Sequence, residues 1–471
     1  MTNKALETMD RSAVPQSVGD TTPHQRSATL LEGHADGHIP DGWPEAYRHK
    51  VTTPEQALQV VKSGERVYIG GGCGEPMMLA EYLAKRNGQV SDVDIVHILT
   101  SGHAPYIGPE MEDSFRVNAL FIGSNVRKAV QAGRADFTPV FLHQIPRLFR
   151  EGHLPIDVAL ISVSPPDAHG YCSFGVEVGV TKPAAESARV IIAEINPRMP
   201  RVWGNSFIHL SQITHCVPVD YPLPSSAQSS PSPLYQQIGE HIAGLINDGD
   251  TLQLGIGAIP DAVLSNLGKK EHLGIHSEMI SDGVVDLIEA GVITGRRKNF
   301  LPGKVVASFM LGSERLYKFV HNNPIIEMRP TDFTNDPFTI SRNDNMVAIN
   351  SALQVDLTGQ VCADSIGTKF YSGVGGQADF IRGASHSKGG KPIIALPSTA
   401  MDGKISRIVA TLDVGAGVTT TRNDVHYVIT EFGVAHLFGK NVRHRAEALI
   451  SIAHPSFREE LRRAAQDRYI L

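Results

Sequence analysis

Cysteine is scarce in this chain, and its four cysteines never fall in a CxxC spacing. Cys73, Cys172, Cys216 and Cys362 are too scattered for a disulfide framework and read as reduced thiols of a cytoplasmic protein, with no catalytic role. Basic residues are not in excess. Forty-three Lys and Arg against forty-nine Asp and Glu leave a net charge of −6, a poor match to a polyanionic nucleic acid. No apolar run approaches the roughly 20 residues that span a bilayer, and Met1 to His49 contain no apolar signal segment. These features predict a cytoplasmic protein with neither membrane nor nucleic acid as partner. Several motifs are also missing. Without GxxxxGK[ST] there is no Walker-type phosphate loop, and without HExxH or a spaced Cys/His quartet a metal centre has no support, so no metal is expected. GxSxG is absent as well, since Gly204-Asn205-Ser206-Phe207 breaks that pattern.

What is present describes an ordinary globular protein. A chain of 471 residues with 41 % hydrophobic and 20 % charged content can build two or three domains with full cores. Residues 1–45 are rich in Ser, Thr, Pro, His and Gly without periodicity and read as a mobile polar extension. Within it, His34 to His38 (HADGH) has the composition of a weak metal tract, although a solvated tail explains it more simply. Order is expected from near Val51, with a helix starting at Thr53-Pro54. Strand Arg66 to Gly70 then leads through Gly71-Gly72-Cys73-Gly74-Glu75-Pro76 into helix Met77 to Lys85. Further strands are read at Asp94 to Leu99, Ala119 to Gly123, Ile156 to Ser164 and Val190 to Glu194.

The second half repeats this plan. GGGCGEP matches GIGAIP, DIVHILTSG matches LGIHSEMISDG, NALFIGSNVRKAV matches VVASFMLGSERLYKFV, and DVALISVSPPDAHGYCSFG matches MVAINSALQVDLTGQVCADSIG. Correspondences that keep their order point to a duplicated α/β domain. Pro222 to Pro233 is a Ser/Pro-rich linker between the copies. The reading is therefore an extension 1–45, an N-terminal α/β domain 46–221, a linker 222–233 and a C-terminal catalytic domain 234–471. The fold class is α/β, with two duplicated open domains and the active site between them.

The stretch Asp250 to Asp286 carries the chemistry. Leu252, Leu254 and Ile256 alternate as in a half-buried strand, the chain turns through Gly255-Ile256-Gly257-Ala258-Ile259, and Pro260 suits the first turn of a helix. Pro260 also occupies the sixth position of a would-be GxGxxG, which weakens dinucleotide binding. The next strand, Leu273 to His276, ends on Ser277-Glu278. Open α/β sheets bind ligands at the carboxyl ends of their strands, so a backbone-amide nest and a glutamate should face one crevice. The first half has no carboxylate after its matching strand. A second glycine turn, Tyr371 to Phe380, places three glycines in four residues, either as a tight surface turn or as a close approach to a ligand. By spacing alone, Glu278 reads more simply as a helix N-terminal acid that favours the macrodipole.

GIGAIPDAVL, GIHSEMISDGVVDLIEAGVI, SGVGGQADF and TEFGVAHLFGKNVRHRAEALISIAHPSFREEL resemble the acetyl-CoA hydrolase/transferase family from about residue 50 to the end. They are similar to its branch of 4-hydroxybutyrate and butyryl-CoA:acetate CoA-transferases, which are class I CoA-transferases. The resemblance implies that Glu278 attacks an acyl-CoA thioester, and that the anhydride formed becomes a glutamyl-CoA thioester which a second carboxylate resolves. It implies oxyanion donors at the backbone of Ile256, Gly257, Ala258 and Gly376. It further implies CoA contacts along Gln253, Gly255, Ile256, Gly257, Ala258 and Ile259, at Gly375, Gly376 and Gln377, and at Lys404 toward the phosphates, with Asn350 on the carboxylate side. No cofactor is bound permanently; CoA is substrate and covalent intermediate, and acyl-CoA and carboxylate are the partners of an expected homo-oligomer. Two alternatives stay open: an acyl-CoA hydrolase, in which water resolves the intermediate, and a non-catalytic ligand-sensing protein of similar fold. His276 is read as a core histidine, because this chemistry abstracts no substrate proton.

Overall fold

The computed structural model describes residues 43–226 and 231–471. The segment His34 to His38 and nearly all of the expected extension lie outside the described residues, as does part of the Ser/Pro linker. Among the described residues, structure is already present ahead of Val51: Trp43 is buried and Glu45–Lys50 form a 3-10 helix.

The chain forms two compact units, one built from residues 43–226 and Val306–Thr334, the other from residues 231–305 and Asn335–Leu471. Strands Val305–Ala307 and Ile326–Met328 belong to the second unit's sheet, as the sequence reading of a C-terminal domain 234–471 has it, yet residues 306–334 pack with the first unit. Backbone contacts explain it. Met328 donates to the Trp203 carbonyl at 2.8 Å and accepts from Asn205 at 2.9 Å. Gly204 at φ 106° has no space for a side chain, because a Cβ there would lie 2.3 Å from the Met328 carbonyl oxygen. The Tyr317 hydroxyl also donates to the Pro224 carbonyl at 2.7 Å.

The first unit has a seven-stranded parallel sheet in the order β4-β3-β2-β1-β5-β6-β7. Its strands are β1 (Arg66–Ile69), β2 (Val93–His97), β3 (Phe115–Ala119), β4 (Asp136–Phe137), β5 (Val158–Val163), β6 (Val190–Ile195) and β7 (His215–Pro218). The third strand ends at Ala119, where the expected Ala119 to Gly123 begins, and Leu120 to Gly123 instead form the turn into helix Ser124–Gln131. Helix α1 (Met77–Ala84) follows the glycine turn and buries Met78, Leu79 and Leu83 against Val67, Ile69, Val158 and Leu160.

In the second unit, helix α2 (Pro233–Leu245) precedes β8 (Thr251–Leu254), which leads into α3 (Ala258–Ser265); β9 (Gly274–His276) is followed by α4 (Asp282–Glu289). Helix α5 (Pro337–Ser341), β10 (Met346–Ser351), α6 (Gln377–His386), β11 (Lys391–Ala395), β12 (Tyr427–Thr430) and β13 (Gly433–His436) complete its frame. Beyond two further strands, Ile326–Met328 at the edge and Val305–Ala307 beside β9, the order is β9-β8-β10-β11-β12-β13, with β9 to β12 parallel and the final β12-β13 pair antiparallel. In the first unit the matching order is β2-β1-β5-β6-β7, the same permutation, as duplication requires. Strand β8 was expected to be half-buried, but all four of its residues are buried. A central parallel strand is covered on both faces, so its alternating Thr and Gln are buried too. The buried Asp250 carboxylate pairs with Lys391 at 2.7 Å, pinning the start of β8 to the start of β11.

Leu160 is fully buried in a central strand, whereas Val414 is 94 % exposed. Leu160→Ala should cost ~2–5 kcal/mol, and Val414→Ala should stay within ~0.5 kcal/mol. Denaturant midpoints of the two variants check the placement of the core.

Candidate active site

Strands β8 and β9 pair in register at Leu252↔Ile275. Beyond that point Ser277 replaces the ladder, its hydroxyl donating to the Leu254 carbonyl at 3.0 Å and accepting from the Leu254 N–H at 3.3 Å. Upstream, the buried Lys298 ammonium donates to the Ile275 carbonyl and to the Lys304 carbonyl, both at 2.8 Å. Its stem passes over Gly274, where a Cβ would lie 2.4 Å from Lys298 Cγ. The strand end is thus clamped on both sides of His276, which is buried with Phe300 and Phe380 as ring neighbours at 6.3 Å. Glu278 follows as a fixed projection from the sheet edge. By strand register Glu278 corresponds to Ile98 in the first unit, which has no acid there.

Two groups meet the Glu278 carboxyl. Asn335 Nδ2 donates to Oε2 at 3.1 Å, and a Cβ built on Gly376 would lie 1.7 Å from the same oxygen. Gly376 has φ −88°, which any residue adopts, so glycine is needed for proximity and not for conformation. Gly375 at φ 58° and Gly257 at φ 115° do use the freedom of glycine. Asn335 is held from its C-terminal side: Asp336 caps α5 by accepting from the Thr339 N–H and hydroxyl, each at 2.8 Å. Helix α5 then docks on α6 through Ile340, which fills the space a side chain at Gly383 would need. Neither Asn335 nor this docking was legible in the sequence, because TDFTNDPF carries no periodicity or motif. Asp379, buried in the first turn of α6, lay inside the quoted SGVGGQADF without being singled out.

Burial pushes the Glu278 carboxyl up to about 7; the Asn335 hydrogen bond works against this shift, and the charge of Asp379 adds to it. The residue keeps a partly exposed surface, so the group is enclosed without being sealed off.

The other expected residues fall into three places. Gln253 and Asn350 are joined, the Asn350 amide donating to Gln253 Oε1 at 2.9 Å, and the same oxygen accepts from the Ile349 N–H at 3.0 Å. Gly255, Ile256 and Gly257 form the turn into α3, and the N-cap glycines of α3 and α6, Gly257 and Gly376, have no side chain to accept from the first N–H groups at Ala258 and Ile259 and at Gln377. The Gln377 side chain is tied to Thr420 at 3.2 Å. Lys404 is exposed on the turn that comes after β11, closed by its own N–H on the Met401 carbonyl at 3.2 Å. The same turn borders a cavity of about 250 Å³ lined by Tyr235, Pro397, Thr399, Met401, Asp402 and Arg407. All four cysteines are buried, and Cys73 is pushed up to about 11 by burial, in keeping with unreactive thiols. Among the described residues no His, Cys, Asp and Glu side chains cluster in a metal-holding group, and no helix is long and apolar enough to cross a membrane.

An acid that is neutral when buried and charged when exposed destabilises the fold as it ionises. Between its unfolded value near 4.5 and about 7 the folded state binds the extra proton, so stability from this group is present below that window and lost as pH rises through it. Glu278→Gln should therefore match the parent near pH 5 and melt a few degrees higher at pH 8, which thermal scans at the two pH values will check.

Comparison with known proteins agrees with this architecture. Residues 42–225 match the acetyl-CoA hydrolase/transferase N-terminal domain, and residues 312–465 match the corresponding C-terminal domain. A 4-hydroxybutyrate coenzyme A transferase of Clostridium kluyveri is 54 % identical over 427 residues, covering 91 % of this chain and all of that protein. A succinyl-CoA:acetate/propanoyl-CoA:succinate CoA transferase of Fasciola hepatica is 48 % identical, covering 88 % of this chain and 87 % of its own. The crystal structure of a 4-hydroxybutyrate CoA-transferase from Porphyromonas gingivalis superposes with a TM-score of 0.78 at 42 % identity, over 90 % of this chain and 99 % of that one. With both domain matches in place and identity above half along nearly the whole chain, this protein is a member of the acetyl-CoA hydrolase/transferase family.

Proposed function

We propose that this protein is an acyl-CoA:carboxylate CoA-transferase in which Glu278 is the group acylated and then joined to CoA. The observation that carries the reading is the fit of one carboxyl oxygen against Gly376 and the Asn335 amide. A glutamate that served only to cap α4 would not need a glycine with ordinary φ against it.

The steps balance without ATP. The Glu278 carboxylate attacks the thioester carbonyl, the C–S bond breaks, and CoA thiolate leaves an acyl-glutamyl anhydride. The thiolate then attacks the glutamyl carbonyl and expels the first carboxylate, giving glutamyl-CoA. An incoming carboxylate reverses both steps and departs as the new acyl-CoA. Each attack places negative charge on a carbonyl oxygen. When the carbon attacked is that of Glu278, Asn335 Nδ2 is already bonded to the oxygen that gains charge. When the acyl carbon is attacked, the uncapped N–H groups at the start of α3 or near Gly376 are the donors in our reading. Enclosure serves the nucleophile as well, because a carboxyl raised to about 7 is more basic than an ordinary glutamate and is still ionised in about half the molecules at neutral pH. We assign Gln253 and Asn350 to the thiol and carboxylate end, and Lys404, beside the 250 Å³ cavity, to the CoA phosphates. The relatives act on different carboxylates, so the acyl group here is left to a substrate panel.

Incubation with acyl-CoA alone should raise the intact protein mass by CoA minus water, and Glu278→Ala should abolish the gain; an adduct that persists in Glu278→Ala would remove the assignment. Asn335→Ala should lower turnover by ~10²–10³-fold while its mass adduct still forms slowly. Gly376→Ala, whose methyl meets the carboxylate, should lose at least as much, as measured by acetate-dependent exchange. CoA release that ignores added carboxylate would instead indicate hydrolysis.

A further inference from the structure

The two units share a strand, a glycine turn and a helix, yet their helix N-termini differ. In the first unit the start of α1 is sealed from within. Glu194 Oε1 accepts from the Leu79 N–H at 2.7 Å, and the Met78 N–H also points at this carboxyl. The Tyr221 hydroxyl accepts from the Met77 N–H at 3.1 Å and donates to Glu194. The first three N–H groups of the helix are thereby used, and Glu194 is 0 % exposed. This enclosure pushes the Glu194 carboxyl up to about 8, the cost of closing a helix with a buried acid.

Strand register identifies the equivalent position in the second unit. Ile69 at the end of β1 pairs with Leu160, and Leu160 with Ile192; Glu194 lies two residues further on the same face. Leu254 at the end of β8 pairs with Ile349, and Ile349 with Ile393; two residues further stands Ala395. Ala395 is also 0 % exposed, but its methyl accepts nothing. Helix α3 begins at Gly257-Ala258 without a side-chain cap.

We propose that Ala395 determines which copy of the duplicated turn can serve the reaction, by withholding the acid that closes the first copy and so keeping the α3 N–H donors free for the oxyanion of the acyl-CoA. The inference rests on the CoA-transferase reading above. The first unit cannot form a second oxyanion site: its donors are taken by Glu194 and Tyr221, and Ile98 stands where Glu278 would be needed. Ala395 touches no reacting atom; it is a specificity-determining position that acts by carrying no hydrogen-bond acceptor.

The test compares Ala395→Glu with Ala395→Met, side chains of similar length that differ in whether they can accept. With acyl-CoA alone, Ala395→Glu should form the Glu278 adduct at least ~100-fold more slowly than the parent, whereas Ala395→Met should remain within about tenfold. Equal rates for the two variants would overturn the proposal, as would a parent-like rate in Ala395→Glu. A parent that forms no adduct would defeat the transferase reading instead, and the reciprocal variant then decides. In full-length Glu194→Ala, the emptied α1 terminus should take up formate, raising its Tm by several degrees relative to equimolar chloride while the parent does not move. The absence of that difference would overturn the inference, and this arm also decides if Ala395→Glu does not fold.

Discussion

The second unit is organised around one contact, an enclosed carboxyl group whose oxygen lies where a Cβ of residue 376 would have to be. A buried acid is costly unless donors face it or it gives up its charge. Here a single side-chain amide meets it and a neighbouring acid opposes its ionisation. The carboxyl is therefore poorly satisfied as an anion. Conversion to an anhydride or a thioester removes that charge, so the chemistry proposed for Glu278 relieves a strain that the fold imposes on it. The clamps on β9 matter for the same reason. Ser277 and Lys298 hold the strand end against a group that would otherwise swing toward water.

Much of this was legible in the residues. Strand ends, glycine turns and helix starts recur in order along the chain, and the common strand permutation of the two sheets bears out the duplication. GIGAIP and HSEM are local signals, because a turn at positive φ and an acid after a strand leave their mark on neighbouring residues. Gly376 was also legible, although φ −88° shows that it is glycine for a steric reason rather than the conformational one usually inferred from a glycine-rich turn.

Other parts were not legible, and for a common reason. Asn335 reaches Glu278 across 57 residues, through a cap at Asp336 and a helix contact at Ile340, and no periodicity reports such a path. The burial of β8 depends on its place at the centre of a sheet, which its own alternating pattern does not encode. Residues 306–334 pack with the first unit through several backbone bonds, among them the bridge at Gly204, where neither partner carries a recognisable motif. The sealing acid Glu194 sits in a strand that reads as continuously apolar and is recognised only once the register is known.

The packing of Ile340 against Gly383 has a mechanical consequence. Helix α5 carries Asn335 at its entrance and helix α6 carries Gly376 at its own, and the absent side chain at 383 lets the two helices lock together. The two groups that face Glu278 thus travel as one body. As the glutamyl carbon passes from planar to tetrahedral and back in the proposed reaction, the donors keep their mutual spacing, and the motion falls to the Glu278 side chain beyond its clamped strand end. The protein behaves here as a fixed jaw with one moving tooth.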